Sequence, residues 1–473
     1  MQSLPVEPVD VESLGELSRF RSELRSCLTR RGDGLFELCE AMLCTSGPVR
    51  SPVELSVEPE FTRRHSSVYD ALHHGRADTE RLRRIQVARI EAARPGEPLM
   101  FAIDTSPTAR PDARFADQRT MVMVRGKGGD VIVPGWNFSF LVGITWGTSS
   151  WVAPLEARRL RPTEQHTDVA CSQIRDLHAD LCATGRWTPG DTPPLVMLDA
   201  GYQGTELAAA LTDLPVQLLV RLRSDRVFRF EAPLRAAGTR GRPRRHGAKF
   251  ALADPATHPA PDVELAAFSE RFGTVTVRAW HRLHQALPRQ GWWSDYPTEQ
   301  DLPIVPGTVI QVTVDHLPHA RTTHKDLWLW HAGPLAADVD LLWKAYLRRF
   351  DQEHFHRFAK VHLGMTTAHL SSAEAVDRWT ALVIAAYTQL LLARNLVDDL
   401  RRPWQPRPKP GIALSPYRVR LGFRRLRTQL PSHAQPPKPR HPAPGRPKGS
   451  RNKPKATRPV YRSSPPTSTN HEA

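Results

Sequence analysis

The spacing of hydrophobic positions changes twice along this chain. Up to about residue 93 they recur every three or four residues, with Leu14, Leu17, Phe20, Leu24 and Leu28 on one face and a break near Gly47-Pro48. That spacing predicts a small helical domain over residues 1–95. From Pro98 the apolar residues gather into short runs punctuated by Gly and Ser: LMFAID, VIVPGWNFSFLVGITWG and SSWVAPLEARRL. Such runs predict strands. Helical spacing over about 163–183, carried by Val169, Ile174, Leu177 and Leu181, leads to the strand LVMLD, a helix near 205–212 and the strand VQLLVRLR. Strand-like text returns between about 225 and 336, in VELAAFSERFGTVTVRAWHRL, TVIQVTVDHL and DLWLWHAG. From about 337 to 400 the pattern is helical again and includes ALVIAAYTQLLLARNLV.

Three meandering strands followed by alternating helix and strand predict a mixed α/β sheet with the order of a ribonuclease-H-like core. This domain is expected over residues 96–400, with a β-rich insertion at about 225–336. Beyond residue 401 the chain is Pro-rich and basic, so 401–473 is expected to be a disordered tail carrying one short helix at RVRLGFRRLRTQL. The segment FTRRHSSVYDALHHGRADTERLRRIQVARI is basic and helical, and both DNA-backbone tracking and simple packing stay open for it.

At 473 residues with 40% hydrophobic content, the chain can build a sizeable core. Its net charge of +16 implies a polyanionic partner, and the position of that charge is more telling than its size. Residues 401–473 hold 18 Lys and Arg against the single acid Glu472, so the first 400 residues are close to neutral. Cys27, Cys39, Cys44, Cys171 and Cys182 have neither zinc-ligand spacing nor a secreted disulfide pattern and are expected to be reduced thiols. The start of the chain lacks a signal peptide's apolar stretch, and no run reaches the roughly 20 apolar residues of a membrane span. The expectation is a cytoplasmic, nucleoid-associated protein without membrane contact.

Two aspartates follow apolar runs. Asp104 closes Leu99-Met100-Phe101-Ala102-Ile103 before Thr105-Ser106-Pro107, and Asp199 closes Leu195-Val196-Met197-Leu198 before Ala200-Gly201-Tyr202. Both are expected at carboxyl ends of strands, where open α/β sheets place their chemistry. The run YLRRFDQEHFHRFAK puts Tyr346, Arg349, Glu353 and Lys360 on one stretch of predicted helix. Two strand-end aspartates and a helical glutamate form an oxygen-only set suited to Mg²⁺ or Mn²⁺. Such a set can hold two ions ~3.5–4 Å apart for phosphoryl transfer. A lone strand-end aspartate is by itself more often a turn or helix cap, and it is the combined context that points to chemistry. His354 and His356, beside Glu353, fit packed or solvated roles better than ligation.

These motifs resemble the DDE transposases of bacterial insertion sequences, in the group with a Tyr-x2-Arg-x3-Glu-x6-Lys signature and a β-insertion before the glutamate. Tyr346, Arg349, Glu353 and Lys360 match all four positions, and Asp199-Ala200-Gly201-Tyr202 and Ile103-Asp104-Thr105-Ser106 match the contexts of the two aspartates. The resemblance implies metal-dependent cleavage at element ends and 3′-hydroxyl strand transfer into target DNA. Asp104, Asp199 and Glu353 would be catalytic metal ligands, Tyr346, Arg349 and Lys360 would contact phosphates of double-stranded DNA, and a homodimer would pair two ends. It also implies an insertion aromatic that holds a flipped base. Trp292 and Trp293 are candidates, while Trp328 and Trp330 are expected in the core.

Two basic Gly-Arg-Pro sequences resemble minor-groove AT-hook peptides. Arg240, Arg242 and Arg244 belong to the first and Arg446 to the second, although phosphate contact by a plain basic loop is an equal alternative. Two other functions remain open. One is a domesticated or decayed copy that only binds DNA, and the other is a ribonuclease-H-like nuclease without strand transfer.

Overall fold

The computed structural model describes residues 11–113, 115–126, 129–147, 149–234, 243–316, 326–334, 337–406, 413–438 and 449. Helical spacing at the start becomes α1 (Val11–Cys27), α2 (Gly32–Cys44), α3 (Ser66–His74) and α4 (Thr79–Val87), with a small ladder between β1 (Leu28–Arg30) and β2 (Arg76–Ala77). The apolar runs become β3 (Met100–Ala109), β4 (Thr120–Gly126), β5 (Gly129–Ile144) and β6 (Ala153–Leu160). Next come α5 (His166–Ala183), β7 (Leu195–Leu198), α6 (Gly204–Ala210) and β8 (Gln217–Leu222). Strands β9 (Val227–Glu231), β10 (His246–Ala251), β11 (Val263–Ser269), β12 (Gly273–Leu283), β13 (Gly307–Val314) and β14 (Leu327–Ala332) precede the last helices. These are α7 (Val339–Arg348), α8 (Asp351–Val361), α9 (Ala373–Leu392) and α10 (Pro416–Arg427).

The result is a mixed α/β fold around one large sheet in the order β11-β12-β13-β14-β8-β7-β3-β5-β4, with β6 also beside β5. Within it β7 pairs in parallel with both β3 and β8, and the other described pairs are antiparallel. The run β6-β5-β3-β7-β8 is consistent with a ribonuclease-H-like core. Strands β11–β14 continue the sheet beyond β8, while β9 and β10 form a separate hairpin.

Strand alternation sends neighbouring side chains to opposite faces. On β3, β7 and β8, Ala102, Met197 and Leu219 join Phe355, Phe358 and Ala359 of α8. Ile103, Leu198 and Val220 pack instead with Ile174 and Leu177 of α5. The first cluster also takes in α1, α2, α9 and the buried Val419, Phe423 and Leu426 of α10. The short helix expected within the basic tail is therefore present and packed. Arg420 is buried in it and donates to the carbonyls of Met42 and Gly47.

Two local expectations are corrected. Strand β3 does not stop at Asp104, because it pairs with the long β5 from Met100 to Ala109. Beyond the end of β7 that side of β3 has no parallel partner, a setting that tolerates Pro107. The run 346–360 is not one helix either: α7 ends at Arg348, α8 starts at Asp351, and the junction is closed by three-residue turns from Gln352 N to Arg349 O and Glu353 N to Phe350 O.

The basic α3–α4 segment packs through several of its arginines. Arg83 bonds Asp180 at 2.8 Å and Glu156 at 3.0 Å, and Arg84 bonds Asp180 at 3.0 Å. The N-terminal helices are pinned to α9 and α10 by a buried ionic knot, in which Glu40 accepts from Arg21 and Arg427 while Arg21 also donates to Gln389 Oε1 at 3.0 Å. Removing one partner of a buried pair strands the other charge. Glu40→Ala is expected to cost about 3–5 kcal/mol of stability, read as a fall in Tm. Glu264→Ala, which breaks the exposed pair with Arg278, should cost about 0–1 kcal/mol.

Candidate active site

The parallel register places the two aspartates. Ile103 lies opposite Leu198 and Leu198 opposite Val220, so one residue further along each chain come Asp104, Asp199 and Arg221. Adjacent strands are about 4.8 Å apart. By alternation these three share the face of Ala102, Met197 and Leu219, which α8 covers. Asp104 and Asp199 thus come together on neighbouring strands, and Glu353 enters from the first turn of α8.

Local backbone groups hold both aspartates. Thr105 N donates to Asp104 Oδ1 at 2.8 Å and Gly201 N donates to Asp199 Oδ1 at 2.9 Å. A side chain at Gly201 would meet that same oxygen at 3.0 Å. The following Gly204 lies against the Trp330 ring, where a Cβ would come within 2.9 Å, so the turn after Asp199 packs tightly onto β14. Tyr202, from the same motif, is buried in the cluster beneath, and burial raises its hydroxyl pKa above the usual range.

Arg349 supplies the counter-charge. Its guanidinium is 5% exposed and donates to Asp104 Oδ2 at 3.3 Å from the α7–α8 junction. It also lies 5.4 Å from the Tyr346 ring centroid and 5.6 Å from that of Phe350. Burial pulls the guanidinium pKa down, but Tyr346, Asp104 and Asp199 together move it above its ordinary value. Asp104 itself is pushed up to about 6, first by burial and then by Asp199 and Glu353, against the pull of Arg349. Lys360 lies two turns beyond Glu353 on α8; burial lowers its pKa, while Glu353 and Asp104 oppose the shift.

The sequence-selected residues thus fall into three groups. Asp104, Asp199, Glu353, Arg349, Tyr346 and Lys360 are electrostatically coupled around one point on the sheet. Tyr346 is buried in the core cluster below it. Arg244 is exposed ahead of β10, while Arg240, Arg242 and Arg446 lie outside the described residues. Trp293 is buried and Trp292 exposed beside it, and Trp328 and Trp330 are in the core as expected. His356 packs against Phe140 and Phe355, and burial drives its pKa down to about 3. Two neighbours escaped the sequence reading: His166, which opens α5 and feels Asp199, and Arg221. The signal for Arg221 was a basic residue inside an otherwise mainly apolar strand, QLLVRL.

Among the described residues, no group of three or more His, Cys, Asp or Glu side chains is placed to hold a metal ion. Asp104 instead turns to Arg349 and to a backbone N–H group, and Asp199 to a backbone N–H group, an arrangement that limits like-charge repulsion. Their donor chemistry nevertheless fits a hard divalent cation, being all oxygen, and both Asp199 and Glu353 add to the burial that raises the Asp104 pKa.

The raised Asp104 pKa has a signed consequence. The folded chain holds this proton more tightly than the unfolded chain, so the contribution to stability is full below about pH 4 and is lost as pH rises through about 6. In urea unfolding, the stability of wild type relative to Asp104→Asn is expected to fall by on the order of 2 kcal/mol between pH 4 and pH 7. A flat difference would mean that Asp104 titrates normally.

The sequence model of a family described as DDE superfamily endonuclease matches residues 23–286, over half of the chain. This span contains Asp104 and Asp199 and ends before Glu353. No curated protein matches the chain. The matched span covers the strands that carry both aspartates, and on that evidence the chain belongs to the DDE superfamily endonucleases.

Proposed function

We propose that this protein is an insertion-sequence transposase. It cleaves DNA at the ends of its element and joins the freed 3′-hydroxyl to target DNA. The observation that carries the reading is the row formed by Asp104 and Asp199, with Glu353 near enough to raise the pKa of Asp104. Family membership implies DNA as the substrate and divalent ions as the usual cofactors.

Asp104, Asp199 and Glu353 would hold Mg²⁺ or Mn²⁺, in a two-ion arrangement. Such ions activate the attacking water or 3′-hydroxyl and stabilise the leaving oxygen. The chain's own residues set the stage for this. Arg349 offsets the carboxylate charge and keeps Asp104 oriented, and the Thr105 and Gly201 amides fix the carboxylate rotamers. Lys360, beside Glu353 and Asp104, offers a cation to a phosphate entering along α8. A homodimer pairing two element ends completes the proposal.

The test is cleavage and joining of DNA carrying the sequences that flank the gene, with Mg²⁺ or Mn²⁺. Wild type should cut at the element boundary and give strand-transfer products. Asp104→Asn, Asp199→Asn and Glu353→Gln should each abolish both reactions while leaving binding to the ends largely intact. Cleavage without joined products would reduce the protein to a nuclease, and binding without cleavage would reduce it to a DNA-binding relic.

The tail is proposed to add affinity. Because α10 is packed into the core, the informative truncation removes residues 439–473, which hold eight of the 18 tail cations, and spares the helix. The truncated chain should bind DNA more weakly, with a shallower dependence of log Kd on log salt. Equal slopes for the two proteins would remove the tail from the interface.

A further inference from the structure

We propose that Arg221, with Arg223 and Arg226, forms a phosphate-binding strip that seats a DNA strand beside the catalytic carboxylates. The inference rests on the DNA-cleaving reading of the site and adds the groups that hold the strand there. A phosphodiester approaching three carboxylates is repelled, so the site needs a cation that is not already committed. Arg349 is buried and bonded to Asp104, and Tyr346 is 1% exposed. Arg221 is different: it is exposed, occupies the row of Asp104 and Asp199 on the next strand, and lies near enough to Tyr346 to act on its hydroxyl.

The strip continues away from the centre. A tight turn closed by Arg226 N to Arg223 O carries the chain from β8 to β9 and brings Arg223 and Arg226 together. Arg221, Arg223 and Arg226 line one groove with Gln203 and Gln285, immediately after Asp199 in space. Among the described residues none of the three arginines has a carboxylate within ion-pair distance, and Arg226 makes only a 3.4 Å contact to Gln203. Guanidinium groups that line one groove can each take a phosphate oxygen of one strand and carry no base preference.

The probe is a labelled duplex oligonucleotide of arbitrary sequence, titrated by fluorescence anisotropy over a range of salt without divalent metal. Arg221→Ala should weaken binding and reduce the slope of log affinity against log salt by about one, and the triple alanine variant by about two to three. Melting temperatures should not change, because these side chains are outside the core. At saturating DNA with Mn²⁺, Arg221→Ala should slow boundary cleavage about 10- to 100-fold through misplacement of the strand. Arg221→Lys should restore the salt slope and only part of the rate, since the ammonium lacks the planar fork. An unchanged slope in the triple variant overturns the strip. If wild type binds but never cleaves, the transposase reading fails while the salt slopes still decide the strip.

Discussion

Asp104 and Asp199 lie side by side on neighbouring strands at a half-buried end of the sheet, and like charges so placed depend on a cation beside them. Arg349 meets that requirement. It leaves the main chain where α7 and α8 separate, lies near the Tyr346 and Phe350 rings and reaches Asp104. The break between the helices is therefore part of the electrostatics. A continuous helix would turn the residue at 349 about 100° per position with its neighbours, whereas here the chain passes through three-residue turns at the junction. The burial that raises the Asp104 pKa also strengthens the attraction of Arg349, because both act in the same low-dielectric space.

Register does the rest of the positioning. A parallel pair offers no choice once its buried face is set, since a slip of one residue sends every side chain to the other face. Met197 and Leu198 belong to different core clusters, as do Ala102 and Ile103. A slip in either strand would bury Asp104 or Asp199 against α5. The chemistry is thereby tied to the packing: the apolar residues preceding each aspartate select the face to which it points. The short β7, four residues long, ends the parallel pairing where the carboxylates begin and leaves the site open there.

The order of helices and strands was readable because each run kept one period over several residues, and Asp104 and Asp199 were readable because each broke an apolar run. What was hidden depended on partners distant in sequence. The extension of β3 to Ala109 comes from β5, and composition around Thr105-Ser106-Pro107 argues locally for a turn. The α7–α8 break leaves no Gly or Pro signal, and the contact made there by Arg349 is with Asp104, 245 positions away. Arg221 gained its meaning only from β8 lying beside β7. Glu353 was readable only through its spacing from Tyr346, Arg349 and Lys360, since one exposed glutamate on a helix carries no signal of its own.

Charge was the least faithful guide, for a physical reason. An arginine already paired with a carboxylate releases few counterions when DNA arrives, so it adds to the net charge without adding much to affinity. Arg424 pairs with Glu58 and Glu60, Arg427 pairs with Glu40, and Arg420 is buried among backbone carbonyls with its pKa lowered to about 10 by burial. Part of the basic tail thus serves the core, and the near-neutral body is not uniformly neutral. Some of its acids are engaged with arginines of the N-terminal helices, as in the pairs of Asp180 and Glu156 with Arg83. Among the described residues Arg221 has no ion-pair carboxylate and shares the row of Asp104 and Asp199. A polyanion would read that local imbalance and not the net charge, because fields of exposed charges beyond about 10 Å are screened at ordinary salt.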